Sequence, residues 1–115
     1  MSTDFVFSRL LGKQSEPIQL TTPVAVSELP TPALVLERSI LQRNIESMRD
    51  FLAAQGKGFR PHSKTHKCPI IAKLQMEAGA VGVCAAKLSE AVALINSGLS
   101  NILITSPIVS KSKLE

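Results

Sequence analysis

Nine consecutive residues, Phe59-Arg60-Pro61-His62-Ser63-Lys64-Thr65-His66-Lys67, put an arginine, two lysines, both histidines of the chain and two hydroxyls into one short stretch. An extended backbone over residues 58–64 would alternate its side chains, so Arg60, His62 and Lys64 would share one face. Three basic groups on one face of a strand are costly in an apolar core unless each has a partner. A bound anionic cofactor would be such a partner. Lys64 stands at the chemical centre of this reading. A lysine must lose its proton before it attacks a carbonyl, and burial beside Arg60 and Lys67 would favour the neutral amine.

The neighbouring side chains have competing roles. His62 and His66 are four apart, the helical spacing of two zinc ligands, but Pro61 and the extended reading keep His62 out of a helix and argue against a shared metal. His62 is expected to line a pocket beside Lys64. Thr65 and His66 are expected just behind it, with His66 supporting the site from the loop or capping the next helix. Arg60 has two readings, contact with a cofactor or a buried structural arginine bonded to carbonyls or an acid. Cys68, beside Lys67 at a helix start, is a thiol in a basic setting, but no general base accompanies it. Cys84 reads as core packing and Glu90 as a solvated charge on a helix.

These residues need elements to hold them. Ala33-Leu34-Val35-Leu36 is a short apolar run of the kind that forms a strand buried on both faces. From Glu37 to Gln55, Leu41, Ile45, Met48 and Leu52 recur at helical spacing, with Ser39 as the expected N-cap and Gly56 as the stop. The strand Phe59–Lys64 follows. A second helix is predicted from Cys68 to Ala78, opened by Pro69, faced by Ile71, Leu74 and Ala78, and ended by Gly79. Val81–Ala85 is the third strand. The third helix, Lys87–Ser97, places Leu88, Ala91, Val92 and Ile95 on one side and stops at Gly98. Asn101–Thr105 is the fourth strand.

Strand starts near residues 33, 58, 80 and 101 are 25, 22 and 21 residues apart. Such a β-α-β-α-β-α-β alternation of apolar strands specifies an α/β fold with a parallel sheet and helices packed outside it. A small open sheet could close at this length. A barrel of eight such units needs about 200 residues or more, so about three and a half units would be only its beginning.

Length and composition limit the function. The 115 residues, 44% of them hydrophobic, suffice for one small domain with a core, preceded by an arm over residues 1–30 that is punctuated by Pro17, Pro23 and Pro30. Four Phe, no Tyr and no Trp argue against a nucleic-acid-stacking module, and the 13 basic residues that outweigh 9 acidic ones are scattered rather than clustered. No stretch approaches the roughly 20 apolar residues that span a bilayer, so a membrane partner is not expected either. Two cysteines make neither a disulfide framework nor a metal quartet, which suits a reducing compartment. Cytoplasm is the expectation. Phe5, Phe7, Leu10 and Leu11 near Arg9 and Lys13 leave an organellar presequence open, with Asp4 and Glu16 against it.

At this point four blocks carry a resemblance. Thr31-Pro32-Ala33-Leu34-Val35-Leu36; Arg60-Pro61-His62-Ser63-Lys64-Thr65-His66-Lys67; Gly79-Ala80-Val81-Gly82-Val83-Cys84 with Lys87-Leu88-Ser89-Glu90-Ala91; and Ile102-Leu103-Ile104-Thr105-Ser106-Pro107 resemble, in order and spacing, the start of the D-threonine aldolase and D-serine dehydratase family. The second block is the specific one. That family belongs to the alanine-racemase-like, fold type III pyridoxal-phosphate enzymes, built as a (β/α)8 TIM-type barrel followed by a β-domain. The resemblance covers about residues 30–109 and implies that residues 31–115 are the N-terminal portion of such a barrel, incomplete in this chain.

The resemblance further implies that Lys64 holds pyridoxal phosphate as a Schiff base; His62 and Arg60 are the candidates for contact with that cofactor, and Thr65 and His66 for the positions behind them. It implies a lyase that cleaves D-3-hydroxy amino acids to glycine and an aldehyde. The alternatives are a D-serine-dehydratase-type elimination and a non-catalytic truncated or cofactor-binding protein. The family's divalent metal is expected in the C-terminal part of a full-length member, with no ligands in this segment. The implied partners are a small D-amino acid substrate and, in some form, a second copy as a homodimer. The 115 residues alone are expected to be inactive or nearly so.

Overall fold

The computed structural model describes residues 22–114 together with the backbones of Val6–Phe7 and Ile18–Gln19. The chain divides into two compact units, residues 1–42 and 43–115. In the first, β1 (Val6–Phe7) pairs antiparallel with β2 (Ile18–Gln19), inside the stretch expected to be an arm without elements. The other residues on which a presequence reading rests lie outside the described residues. A 3-10 turn follows at Val26–Glu28, where Glu28 reaches back to the Ala25 amide at 3.0 Å.

The strand expected at Ala33–Leu36 is not formed. Leu34 is 91% exposed, Val35 and Leu36 are exposed as well, and no described residue pairs with this backbone. An apolar run becomes a doubly buried strand only when neighbouring strands and covering helices supply partners. Its composition satisfied the pattern while the partners were missing.

Helix α1 (Arg38–Ala53) begins one residue before the expected cap. Leu41 donates to the Glu37 carbonyl, making Glu37 the first acceptor, and the Ser39 hydroxyl donates to the Glu37 carboxylate at 2.6 Å instead of capping. Gly56 stops the helix with φ of 65°, as its permissive backbone allows. Of the expected face Ile45 is buried, Leu41 and Leu52 are half-buried, and Met48 is exposed.

The second unit carries the predicted parallel arrangement. Helix α2 (Pro69–Glu77) opens with Pro69 in its first turn, β3 (Val83–Ala85) follows, then α3 (Leu88–Asn96) and β4 (Ile102–Ile104). Strand β3 pairs in parallel with β4, Val83 opposite Ile102 and Ala85 opposite Ile104. On its other side lies the extended segment 59–62. Val81 and Cys84 donate to the carbonyls of Phe59 and Pro61 at 2.9 and 2.8 Å, and His62 makes a parallel bridge with Cys84. Three consecutive extended segments therefore run side by side with β3 in the middle. This is an α/β arrangement with parallel pairing.

The predicted strand Phe59–Lys64 is shorter than expected. Pro61 has no amide to donate, which thins the ladder, and at Ser63 the chain turns into a 3-10 helix, Ser63–Thr65. Lys64 therefore does not share a strand face with Arg60 and His62.

The core is made of small and aliphatic groups: Ala72 from α2, Val83 and Ala85 from β3, Ala91 and Leu94 from α3, and Leu99, with Met76, Ile102 and Ile104 packed on it. Small Ala72 and Ala91 bring α2 and α3 into this cluster. On α3 the buried pair is Ala91 and Leu94, whereas Val92 and Ile95 of the expected face are 46% and 56% exposed. Among the described residues no helix is long and apolar enough to cross a membrane.

Candidate active site

The two ends of this small sheet carry different chemistry. At the end where β3 and β4 begin, Arg60 donates from Nη1 to the Asn101 carbonyl at 2.5 Å and from Nη2 to Asn101 Oδ1 at 3.1 Å and the Val81 carbonyl at 3.4 Å. The Asn101 side-chain amide also donates to Val81 O. Asn101 sits at φ of 57°, a conformation its side chain tolerates. A Cβ added at Gly82 would fall onto Arg60 Nη1 and the Asn101 carbonyl, so only glycine leaves the guanidinium room. Arg60, expected at the cofactor, is thus a structural clamp at the opposite end from Lys64. Arg60 is half-buried, and its partners are carbonyl oxygens, as the structural reading of this arginine had them.

At the other end, where the strands finish, Ser63–Thr65 presents Lys64. The Ser63 hydroxyl, buried, donates to the Cys84 carbonyl of β3 at 3.0 Å. The Thr65 hydroxyl donates to the His62 carbonyl at 3.3 Å. The amides of His66 and Lys67 both donate to the Ser63 carbonyl, at 3.2 and 2.7 Å. Side-chain bonds to nearby backbone of this kind replace a strand ladder with a turn. The Lys64 amide donates to His62 Nδ1 at 3.2 Å.

The imidazole of His62 has its second nitrogen 3.0 Å from Thr105 Oγ1, and the Thr105 hydroxyl lies 3.3 Å from the Ala85 carbonyl, to which it donates. Because Nδ1 accepts, the proton of the neutral ring sits on Nε2 and points at Thr105. Segment 59–62, β3 and β4 are joined at their ends by this one chain of bonds. Thr105 was not among the expected site residues. Its signal was its place, the first polar residue after the apolar run of β4.

Lys64 itself is exposed, and its Nζ has no hydrogen-bond or ion-pair partner among the described residues. Lys67, at φ of 48°, turns away and pairs with Glu90 Oε1 at 3.4 Å. Glu90 Oε2 accepts from the Ala86 amide at 2.9 Å. That amide bond, with Lys67 adding to it, holds the Glu90 carboxyl below the usual carboxylate range. Glu90 thus ties the loop after Lys64 to the start of α3, where a solvated charge was expected.

His66 stands apart from His62. Its Nδ1 accepts from the Cys68 amide at 3.0 Å ahead of α2, and Gln75 is the side chain that faces the ring. The N-cap of α2 is Cys68 itself, so His66 braces the residue that opens the helix and does not cap it. Burial pushes its pKa below the ordinary imidazole value, with Gln75 partly opposing. Among the described residues no three His, Cys, Asp or Glu side chains converge as metal ligands. A groove lined by Ala86, Lys87, Ile104, Ser106, Pro107 and Lys113 opens beside the ends of β3 and β4, and it does not take in Lys64.

No family model matches the chain. Among curated proteins, the 3-hydroxy-D-aspartate aldolase of Paracoccus denitrificans is 40% identical over 90 residues, covering 77% of this chain and 23% of the relative. The D-threo-3-hydroxyaspartate dehydratase of a Delftia species is 41% identical over 75 residues, covering 65% of this chain and 20% of the relative. The crystal structure of D-threonine aldolase from Filomicrobium marinum superposes with a TM-score of 0.75 at 43% identity, covering 77% of this chain and 24% of that one. The chain is a homologue of enzymes of the D-threonine aldolase type. It spans about a quarter of the length of the relatives it matches.

The geometry fits attachment of an aldehyde cofactor at one point. Lys64 offers an exposed primary amine at the ends of the strands, on a turn held by the bonds of Ser63 to Cys84 and of the Lys64 amide to His62.

Proposed function

We propose that the protein is a pyridoxal-phosphate-dependent lyase of the D-threonine aldolase type, acting on D-3-hydroxy amino acids, with the described residues forming the first part of a (β/α)8 barrel. The observation that carries this reading is Lys64: an amine without a partner among the described residues, on a turn fixed at the strand ends, in a homologue of such enzymes. Lys64 Nζ would hold the cofactor covalently. When bound, pyridoxal phosphate supplies an electron sink for the pair of electrons released at Cα.

The chain's own residues do the positioning. Ser63 and Thr65 fix the turn and His62 holds the Lys64 amide, so that Lys64 Nζ would be presented at the strand ends. Lys67 is engaged by Glu90, which leaves Lys64 as the amine at this edge that can react. Cleavage to glycine and an aldehyde is the reaction favoured here. A dehydration with the same lysine is the second reading, since a dehydratase stands among the similar proteins. The 115 residues alone are proposed to bind without turning over, since they span about a quarter of their relatives.

The test is to incubate the protein with pyridoxal phosphate, reduce with borohydride, and map the modified lysine by mass spectrometry. Modification concentrated at Lys64 and lost in Lys64→Ala is the expected result. Equal labelling of Lys64, Lys67 and Lys87 would sink the assignment. Incubation of the active protein with D-threonine separates glycine plus aldehyde from a keto acid plus ammonia.

A further inference from the structure

Both ring nitrogens of His62 are engaged within the protein. Nδ1 accepts the Lys64 amide and Nε2 faces Thr105, whose hydroxyl is anchored on Ala85. We infer that His62, held by Thr105 as the Nε2–H tautomer, is the positioning residue for Lys64 and acts through the lysine's backbone amide. This deepens the proposed function and rests on it for its consequence, not for the contact itself.

The reasoning starts from the turn. A 3-10 turn of three residues has little hydrogen bonding of its own, and its first amides lack acceptors within it. The Lys64 amide is one of these. Its acceptor is a side chain two residues back, so the direction in which Lys64 leaves the turn is coupled to the orientation of one ring. An isolated imidazole can flip or carry its proton on either nitrogen, and either change turns Nδ1 from acceptor to non-acceptor. Thr105 removes that freedom. Its hydroxyl is committed to donating to Ala85, so it presents a lone pair, and only Nε2–H satisfies it. Ala85 closes β3 and Thr105 follows β4, so the ring is referenced to two strands of the core. The register of the sheet is thereby transmitted to the amine.

The substitutions discriminate because each copies one nitrogen. Asparagine places an acceptor near Nδ1, and glutamine places a donor near Nε2. For the intact protein, the expected results are these. In the wild type, 15N spectra show His62 with an unprotonated Nδ1 and a slowly exchanging Lys64 amide. His62→Leu speeds exchange of that amide and slows reductive labelling of Lys64 by pyridoxal phosphate, each roughly three- to tenfold, the scale of one neutral hydrogen bond. His62→Asn restores both to within about threefold of wild type, His62→Gln does not, and Thr105→Val gives an intermediate loss, all on that same scale. A proton on Nδ1 in the wild type overturns the inference without any variant. Equal behaviour of the Asn and Leu variants overturns it too. If Lys64 is never labelled while its amide remains protected through Nδ1, the positioning contact stands and the proposed function is what fails.

Discussion

Burial holds His66 neutral at pH values where the same ring in an unfolded chain is already protonated. Between that lowered value and the ordinary one near 6.5 the unfolded state binds more protons, so stability rises with pH across this window. The contribution is complete above about pH 6.5 and is lost as pH falls through the folded-state value. Urea midpoints measured between about pH 5 and pH 8 are expected to climb in the wild type and to climb less in His66→Gln. Glu90 adds a second dependence with a different window. Its folded value is lowered by the Ala86 amide, so its contribution is present above the usual carboxylate range and lost as pH falls below it. Glu90→Gln is expected to flatten the acid limb of the same titration. For Lys64 the expectation is chemical rather than energetic: Lys64→Ala loses covalent cofactor while its urea midpoint stays close to wild type, because the side chain is exposed and unpaired among the described residues.

The Arg60 clamp acts on elements, since it joins the segment before Lys64 to the starts of β3 and β4. Gly82→Ala would put a methyl group where Nη1 and the Asn101 carbonyl already lie, and neither can leave without breaking the clamp. Overpacking of this kind costs about 1–3 kcal/mol, to be read from the urea midpoint. Arg60→Lys cannot reproduce a fork that reaches Asn101 and Val81 together, and a loss of about 1–3 kcal/mol is expected there as well. Equal stability of Arg60→Lys and the wild type would show that the clamp adds nothing. The helices behave more simply. Pro69 in the first turn of α2 and Gly56 after α1 fix their ends locally, so those boundaries were readable from residue type alone.

For the molecule as a whole, what the chain leaves open is decisive. Strand β4 has β3 on one edge and no ladder partner on the other among the described residues, and its Leu103 is 51% exposed. Leu34 and Val109 are each 91% exposed, and Val92 and Ile95 form an apolar pair on the outside of α3. An unpaired edge with apolar side chains is a template for association. The 115-residue chain on its own is expected to self-associate at micromolar concentrations, and Leu103→Lys to reduce that, by sedimentation or light scattering. A wild-type chain that stays monomeric would contradict this.

The amino-acid sequence by itself determined the alternation of helix and extended segment in residues 43–115, the helix ends at Gly56 and Pro69, and Lys64 as the residue to watch. Those are local properties: apolar spacing, backbone permissiveness and a dense run of functional groups. The tertiary structure decided the rest. Ala33–Leu36 has the composition of a strand and no partner, which no local pattern can reveal. Arg60, His62 and Lys64 look alike as alternate residues of one strand, yet Pro61 and the bonds of Ser63 and Thr65 break the alternation. Arg60 then goes to the start of the sheet and Lys64 to its end. His62 and Thr105 are 43 residues apart and meet because β3 aligns the segments on either side of it. Which side chain meets which across a sheet depends on register, and register is a property of paired strands, not of any one of them.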